Sequence, residues 1–310
     1  MLLYQPAPAY LVNGGSELNG TSAEFKGSHV SRGVNPATGV VLYYRLAEVP
    51  KDSMVTLEIA DGRGTVIRSY SSRKDAKARK WDGGPEVAAV LPREKGLNRF
   101  VWDMRHATMP GVPDVYIEAG YAGHKVPPGR YRATLKAGDQ VVTTDLEVRA
   151  NPLYNVSDND YRAYDALMSS MQGAVTTMHA LINSLHVKRL QLDTLVRTLP
   201  AGDRHAAVRK AAEALSAKMK AWDEDMVQRR SKAYDDVENF PNRFTADYLY
   251  LINQTESDLP RVNRPSLDLK ATLDTKWAVL KARADEMLDK DLPALNRQLW
   301  ELGIGAIWPE

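Results

Sequence analysis

A long loop between two predicted strands carries most of the residues that could do chemistry. It runs from Asp103 to His124, and its polar and aromatic side chains are Asp103, Arg105, His106, Asp114, Glu118, Tyr121 and His124. Long loops on a rigid scaffold often carry binding or catalytic groups. Two interpretations stay open: a small binding or catalytic site at a sheet edge, or a solvated crossover loop with loosely paired charges. We favour the second.

Trp81 is a separate candidate for ligand binding. It lies in the loop segment Lys80-Trp81-Asp82-Gly83-Gly84-Pro85. The residues Trp102, Trp222 and Trp277 lie instead on periodic apolar faces, where we expect them in the core. An aromatic side chain in a loop is available to stack on a sugar ring. Trp81 and Tyr121 are therefore the first candidates for a carbohydrate platform.

The sequence predicts no metal site, no cofactor and no catalytic residue. The chain has no cysteine, and none of its histidines has the spacing of a helical His-Glu-x-x-His zinc motif; they are His29, His106, His124, His179, His186 and His205. His179 and His186 share a helix face seven residues apart, and we expect them at the surface or in a groove. Neither a phosphate loop, a dinucleotide fingerprint nor a Gly-x-Ser-x-Gly elbow occurs.

Composition narrows the classes of partner. The 310 residues include 41 basic and 39 acidic side chains, a net charge of +2, so no strong field draws the chain to nucleic acid. No uncharged apolar run is long enough to span a bilayer, which predicts a soluble chain. The length favours two domains.

Residues 36–150 have the pattern of short strands separated by turns. Val40–Leu46 is β-branched and aromatic, and Val55–Ile59 alternates apolar with polar side chains. Asp61–Gly64 contains residues that accept positive φ and should close a hairpin. Six or seven such strands predict an immunoglobulin- or fibronectin-III-like β-sandwich. Residues 1–35, rich in Gly, Ser, Asn and Pro, are predicted to be a linker or extended segment.

Residues 151–310 have a helical pattern instead. Ser157 with Asp160 is a plausible helix start, and apolar residues then recur every third or fourth position until Leu199. Further helices are predicted at about 203–233, at 240–252 and from about 266, the last with a kink or restart at Asp291-Leu292-Pro293. The predicted fold is therefore multi-domain α+β, a β-sandwich followed by an antiparallel helical bundle.

Both halves resemble a known kind of bacterial protein. The segments Val34–Leu46, Val55–Gly64, Gly96–Arg105 and Val126–Tyr131 resemble the Ig-like domain that follows large β-propellers in sortilin-like, BNR-repeat glycosyl hydrolase-type proteins. Flagellar hook-capping Ig-like domains carry a similar pattern. The helical half, including Asp291-Leu292-Pro293-Ala294-Leu295-Asn296, is similar to the C-terminal region of the propeller proteins. No propeller repeats occur in this chain, and any hydrolase activity of the family would belong to the propeller.

The resemblance implies a non-catalytic accessory or protein-interaction module of an exported protein, periplasmic or secreted. Since Met1–Pro6 lacks the regions of a signal peptide, a signal would lie upstream. The implied partner is a β-propeller domain, and the module should then expose an apolar or aromatic patch on the sandwich. The alternatives are a carbohydrate-binding module and a hydrolase with its site in the loop of residues 103–124.

Overall fold

The computed structural model describes residues 1–20, 31, 33–48, 54–76, 78–256 and 259–307. His29, and residues 21–30 and 32 of the predicted linker, lie outside this part of the chain. The strands are β1 (Leu2–Leu3), β2 (Ala9–Tyr10), β3 (Val40–Leu46), β4 (Val55–Ala60), β5 (Val66–Ser71), β6 (Gly96–Trp102), β7 (Gly129–Ala137) and β8 (Gln140–Arg149).

Within the described residues the strands form two sheets. One has three strands in the order β1-β3-β6, all antiparallel. The other has five strands in the order β2-β8-β7-β4-β5, and β2 runs parallel to β8. Side chains alternate along β3: Leu42, Tyr44 and Leu46 are buried, whereas Tyr43 and Arg45 are exposed. The alternation read from the sequence therefore correctly separates the core face from the outer face.

The prediction of an Ig-like sandwich followed by a helical bundle is wrong. The fold is a mixed α+β arrangement in which one of the two sheets curls into a half-barrel. Strands β1 and β2 come from the segment predicted as a linker, and each pairs with a strand of a different sheet. Such two-residue strands carry no periodic signal, because their position depends on the distant strand that they pair with.

The helices follow the sequence pattern closely. They are α1 (Asp158–Thr198), α2 (Asp203–Met226), α3 (Asp236–Asn239), α4 (Phe244–Thr255), α5 (Arg264–Glu286) and α6 (Leu292–Glu301), with a π-helical segment at Met287–Asp291. The predicted start of α1 is confirmed, since Ser157 and Asp160 form a reciprocal capping box. The predicted restart at Pro293 is also confirmed: proline lacks an amide donor, and the π-helical segment directly precedes α6.

The loop after β6 joins the two halves of the molecule. Its apolar residues belong to the same buried cluster as the helices; they are Met109, Val112, Val115, Ile117 and Tyr121. A second cluster lies between the sheets and contains Trp102 and Tyr44. The favoured interpretation of a solvated crossover loop is therefore wrong for these apolar residues, which complete the helical core. Within the described residues, no helix combines the length and apolar character needed to cross a membrane.

Candidate functional site

The base of the loop brings two of its histidines together. Arg105 and Lys125 form an antiparallel bridge, and the His106 amide donates to the His124 carbonyl oxygen at 3.0 Å. The two imidazole rings stack with their centroids 4.3 Å apart and their planes 18° apart. Although 17 residues separate them in sequence, they are thus neighbours across a short two-stranded neck.

Two contacts fix the backbone of this neck. The Arg68 guanidinium, from β5, donates to the His106 carbonyl oxygen at 2.8 Å. Gly123 lies so close to the opposite segment that a Cβ there would be 2.3 Å from the same oxygen. Only glycine allows this approach without a backbone shift, so Gly123 sets the position of His124 relative to His106.

Helix α1 supplies a carboxylate to the two histidines. Asp165 Oδ1 lies 2.8 Å from His124 Nε2 and 3.3 Å from His106 Nε2. We call His106, His124 and Asp165 the histidine cluster. Burial raises the pKa of Asp165, but its contacts with the ring nitrogens of His106 and His124 outweigh burial and hold that pKa well below its usual range. Asp165 is therefore ionised at neutral pH.

Gln172, two turns along α1 from Asp165, contacts the other ring nitrogen of His124. Its Oε1 lies 3.0 Å from His124 Nδ1, and His124 is fully buried. His106 contacts Asp165 through its Nε2 atom. This atom is buried and makes no hydrogen bond within the described residues. Gln172 Nε2 has no hydrogen-bond partner there either. The polar groups of the cluster are thus incompletely paired, which is unusual for buried polar atoms.

A cleft of about 640 Å³ opens beside the histidine cluster. Its lining includes Asp165, the ion pair of Arg105 with Glu256 at 2.7 Å, and the tyrosines Tyr154, Tyr161 and Tyr164. Residues of the N-terminal segment, the loop, α1 and α4 all contribute to it. A concave site at such a junction, with a few convergent polar groups and a carboxylate of perturbed pKa, is the expected form of a ligand site.

No family model, curated protein or solved structure matches this chain. The relationship to sortilin-like propeller proteins therefore stays a prediction.

The other candidates from the sequence lie away from the histidine cluster. Asp103 is exposed, and its Oδ1 accepts from the Arg105 amide at 3.2 Å. Asp114 forms an exposed bidentate pair with Arg79 at 2.8 and 2.9 Å. Of the predicted loop site residues, the structure brings only His106 and His124 together.

Trp81 is half-buried and lines a second cleft, of about 600 Å³, away from the histidine cluster. The Trp81 indole donates to the Val115 carbonyl oxygen at 3.0 Å, and the backbones of Gly84 and Gly111 press against its ring. Tyr121 is buried in the helical core, and burial raises the pKa of its hydroxyl. Both residues therefore anchor the loop to its surroundings. Trp102, Trp222 and Trp277 are buried as predicted.

His179 also differs from its prediction as a surface or groove residue. It is fully buried, with Nδ1 2.6 Å from the Pro110 carbonyl oxygen and Nε2 2.5 Å from Thr245 Oγ1. It therefore connects the loop, α1 and α4.

Sequence reasoning missed Asp165 and Gln172 as site residues. They lie seven positions apart on α1, among the apolar positions that face the loop, and a polar residue inside an apolar stripe is the one local signal that marks them.

A second notable surface is the outer side of the three-stranded sheet. Leu2, Arg45 and Leu97 lie in one row across the three strands, and Tyr43 lies in the next row beside Tyr4, whose amide donates to the Tyr43 carbonyl oxygen. Leu2, Tyr4, Tyr43 and Leu97 are all exposed. We call these four residues the apolar sheet face. An outer sheet surface is usually polar, so exposed apolar side chains in register are unusual.

Proposed function

We propose that this chain is a non-catalytic accessory or protein-interaction module that docks on a partner protein through the apolar sheet face. The observation that carries the proposal is the alignment of Leu2, Tyr4, Tyr43 and Leu97 on adjacent strands with their side chains in solvent. Aromatic and aliphatic anchors of this kind dominate the centres of protein interfaces.

The proposed partner is the one that the family resemblance implies, a bacterial β-propeller domain outside the cytoplasm. Arg45 lies between Leu2 and Leu97 in one row, so the matching surface would be apolar with an acidic group in its middle, opposite Arg45. This arrangement supports docking on a protein more than docking on nucleic acid, because the face holds few cations and several uncharged side chains.

The test is a binding measurement with a purified sortilin-like β-propeller that lacks its own C-terminal region. Leu97→Glu places a charge in the apolar sheet face, on strand β6, and we expect it to weaken binding about tenfold or more. The matched control is Val141→Glu on β8, because Val141 is 57% exposed and Leu97 is 60% exposed. Absence of binding by the wild-type chain, or equal binding by both variants, would refute the proposal.

The cleft supports a second candidate function, the binding of a saccharide. Tyr154 is exposed at its rim, and the paired Arg105 and Glu256 offer hydrogen bonds to hydroxyl groups. Tyrosine rings with nearby guanidinium and carboxylate groups suit a polyol ligand. A glycan array should lose its signal with Tyr154→Ala and keep it with Trp81→Ala. A signal that is lost only with Trp81→Ala would exclude the cleft.

A further inference from the structure

We propose that His106, His124 and Asp165 bind a divalent transition-metal ion of the zinc class. Each residue offers one ligand atom, and the three atoms lie within 4.8 Å of one another. Imidazole and carboxylate are ligands that zinc accepts, and its bonds of about 2.0–2.2 Å bring ligand atoms roughly 3–3.5 Å apart. The separations of 2.8 and 3.3 Å between Asp165 Oδ1 and the two imidazole nitrogens are close to that range. The inference does not depend on the docking function.

The hydrogen-bonding of His124 is the first argument for a cation. Its Nδ1 faces Gln172 Oε1 and its Nε2 faces Asp165 Oδ1, and both of these oxygens are acceptors. A neutral imidazole has a single N–H, so it can satisfy only one of them. With the Gln172 amide in this orientation, the other nitrogen takes either a second proton or a metal ion that its partner also binds. If the amide is turned so that Gln172 Nε2 donates to His124 Nδ1, a neutral ring is satisfied without a metal, and the Zn²⁺ titration below separates the two arrangements.

A metal ion also satisfies His106. The Nε2 atom of His106 is buried, lies 3.3 Å from Asp165 Oδ1 and makes no hydrogen bond within the described residues. A rotation of this ring about its side-chain torsions breaks no hydrogen bond of Nε2 and turns its lone pair toward an ion at Asp165. The ion would thus be bound by both Nε2 atoms and one carboxylate oxygen.

The surroundings match those of metal-binding histidines in proteins. Such histidines usually donate their second N–H to an oxygen acceptor, which fixes the tautomer and the ring orientation. Gln172 Oε1 occupies this position for His124. Asp165 lines the cleft and its side chain is 32% exposed, so an ion can reach it from solvent. The fourth coordination position of the ion would face the cleft, where water or a ligand can bind. The ionised carboxylate balances part of the metal charge.

The competing arrangement is a proton in place of the metal. His124 would then be an imidazolium that donates from Nδ1 to Gln172 and from Nε2 to Asp165. When zinc binds, it displaces the Nε2 proton to solvent, and the Nδ1 proton stays on the ring. Metal binding to this arrangement should therefore release one proton to the solvent.

The experiment is a calorimetric titration of the full chain with Zn²⁺ after removal of metals with a chelator. We expect one equivalent to bind, and Co²⁺ in its place to show a visible ligand-field spectrum. His106→Gln and Asp165→Asn each remove a ligand, and we expect each to weaken binding by more than the roughly 10–100-fold typical of losing an outer-shell partner. Gln172→Ala should fall within that range. His106 is partly exposed, so His106→Gln is the variant least at risk of misfolding.

His186→Gln is the matched control. Like His106, His186 has a buried ring nitrogen without a hydrogen-bond partner, but it belongs to no group of potential ligands within the described residues. Binding should be unchanged in this variant. The inference is overturned if the wild-type chain binds no Zn²⁺ stoichiometrically, or if His106→Gln binds it as tightly as wild type. It is also overturned if ¹⁵N NMR shows both nitrogens of His124 still protonated at neutral pH in excess Zn²⁺.

Discussion

Two fully buried histidines, His179 on α1 and His124 in the loop beside it, have different kinds of partner. His179 lies between a carbonyl oxygen, of Pro110, and a hydroxyl group, of Thr245. A neutral ring donates to the first and accepts from the second, so His179 is satisfied without a charge. His124 lies between Gln172 Oε1 and the Asp165 carboxylate, which both accept. Burial alone therefore does not mark a functional histidine; the donor or acceptor character of its partners does.

The largest effect on stability should come from removing His179, the histidine whose two ring nitrogens both have matching partners. His179→Ala leaves a cavity and removes the partner of the buried Thr245 hydroxyl and of the Pro110 carbonyl oxygen, so we expect the free energy of unfolding to fall by about 3 kcal/mol or more. Urea unfolding monitored by circular dichroism measures the loss. His205→Ala on α2 is the control and should change stability by less than about 0.5 kcal/mol. A loss below about 1 kcal/mol for His179→Ala would show that His179 is not a structural connection.

A smaller effect on stability should come from a substitution at Gly123, in the two-stranded neck that positions His124. In Gly123→Ala the new Cβ meets the His106 carbonyl oxygen, and the two segments must separate. We expect a loss of about 1–3 kcal/mol and altered NMR signals of His106 and His124, with those of His179 unchanged. The control is Gly173→Ala in α1, where a Cβ meets open space and should stabilise the helix by about 0.5–1 kcal/mol. Equal behaviour of the two variants would contradict the close approach at the neck.

A graded effect of pH on stability distinguishes His179 from Asp165. Burial lowers the pKa of His179 to about 4, whereas an unfolded histidine has a pKa of about 6.5. As the pH falls from about 6.5 to 4, the unfolded chain takes up a proton that the folded chain excludes. Stability should therefore fall by up to about 1.4 kcal/mol per pH unit from this group.

The pKa of Asp165 is also lowered, but its contribution lies in a different range. An unfolded aspartate has a pKa of about 3.9, so the stability from Asp165 is present above that pH and is lost only as the pH falls below it. Unfolding curves between pH 6.5 and 4 should therefore flatten in His179→Gln relative to wild type. An unchanged slope in this variant would mean that His179 is not the group whose protonation the folded chain excludes.

Local patterns in the sequence predicted much of the secondary structure and little of the site. The capping box of Ser157 and Asp160 and the alternation in β3 involve residues a few positions apart, so they can be recognised without a fold. The cluster of His106, His124 and Asp165 has no such signal. It forms because the loop returns on itself at Gly123 and because α1 passes beside it.

The sequence by itself determined the long helices and the strands from β3 to β8, the position of the proline-induced restart before α6 and the burial of three tryptophans. Each follows from the period of apolar residues or from the chemistry of one residue, which act over a few positions. Only the tertiary structure decided that β1 and β2 join separate sheets, that the loop of residues 103–124 completes the helical core, and that a carboxylate of α1 meets two loop histidines. These pairings connect residues far apart in the chain, and their stability comes from burial and hydrogen bonds that exist only after the chain has folded.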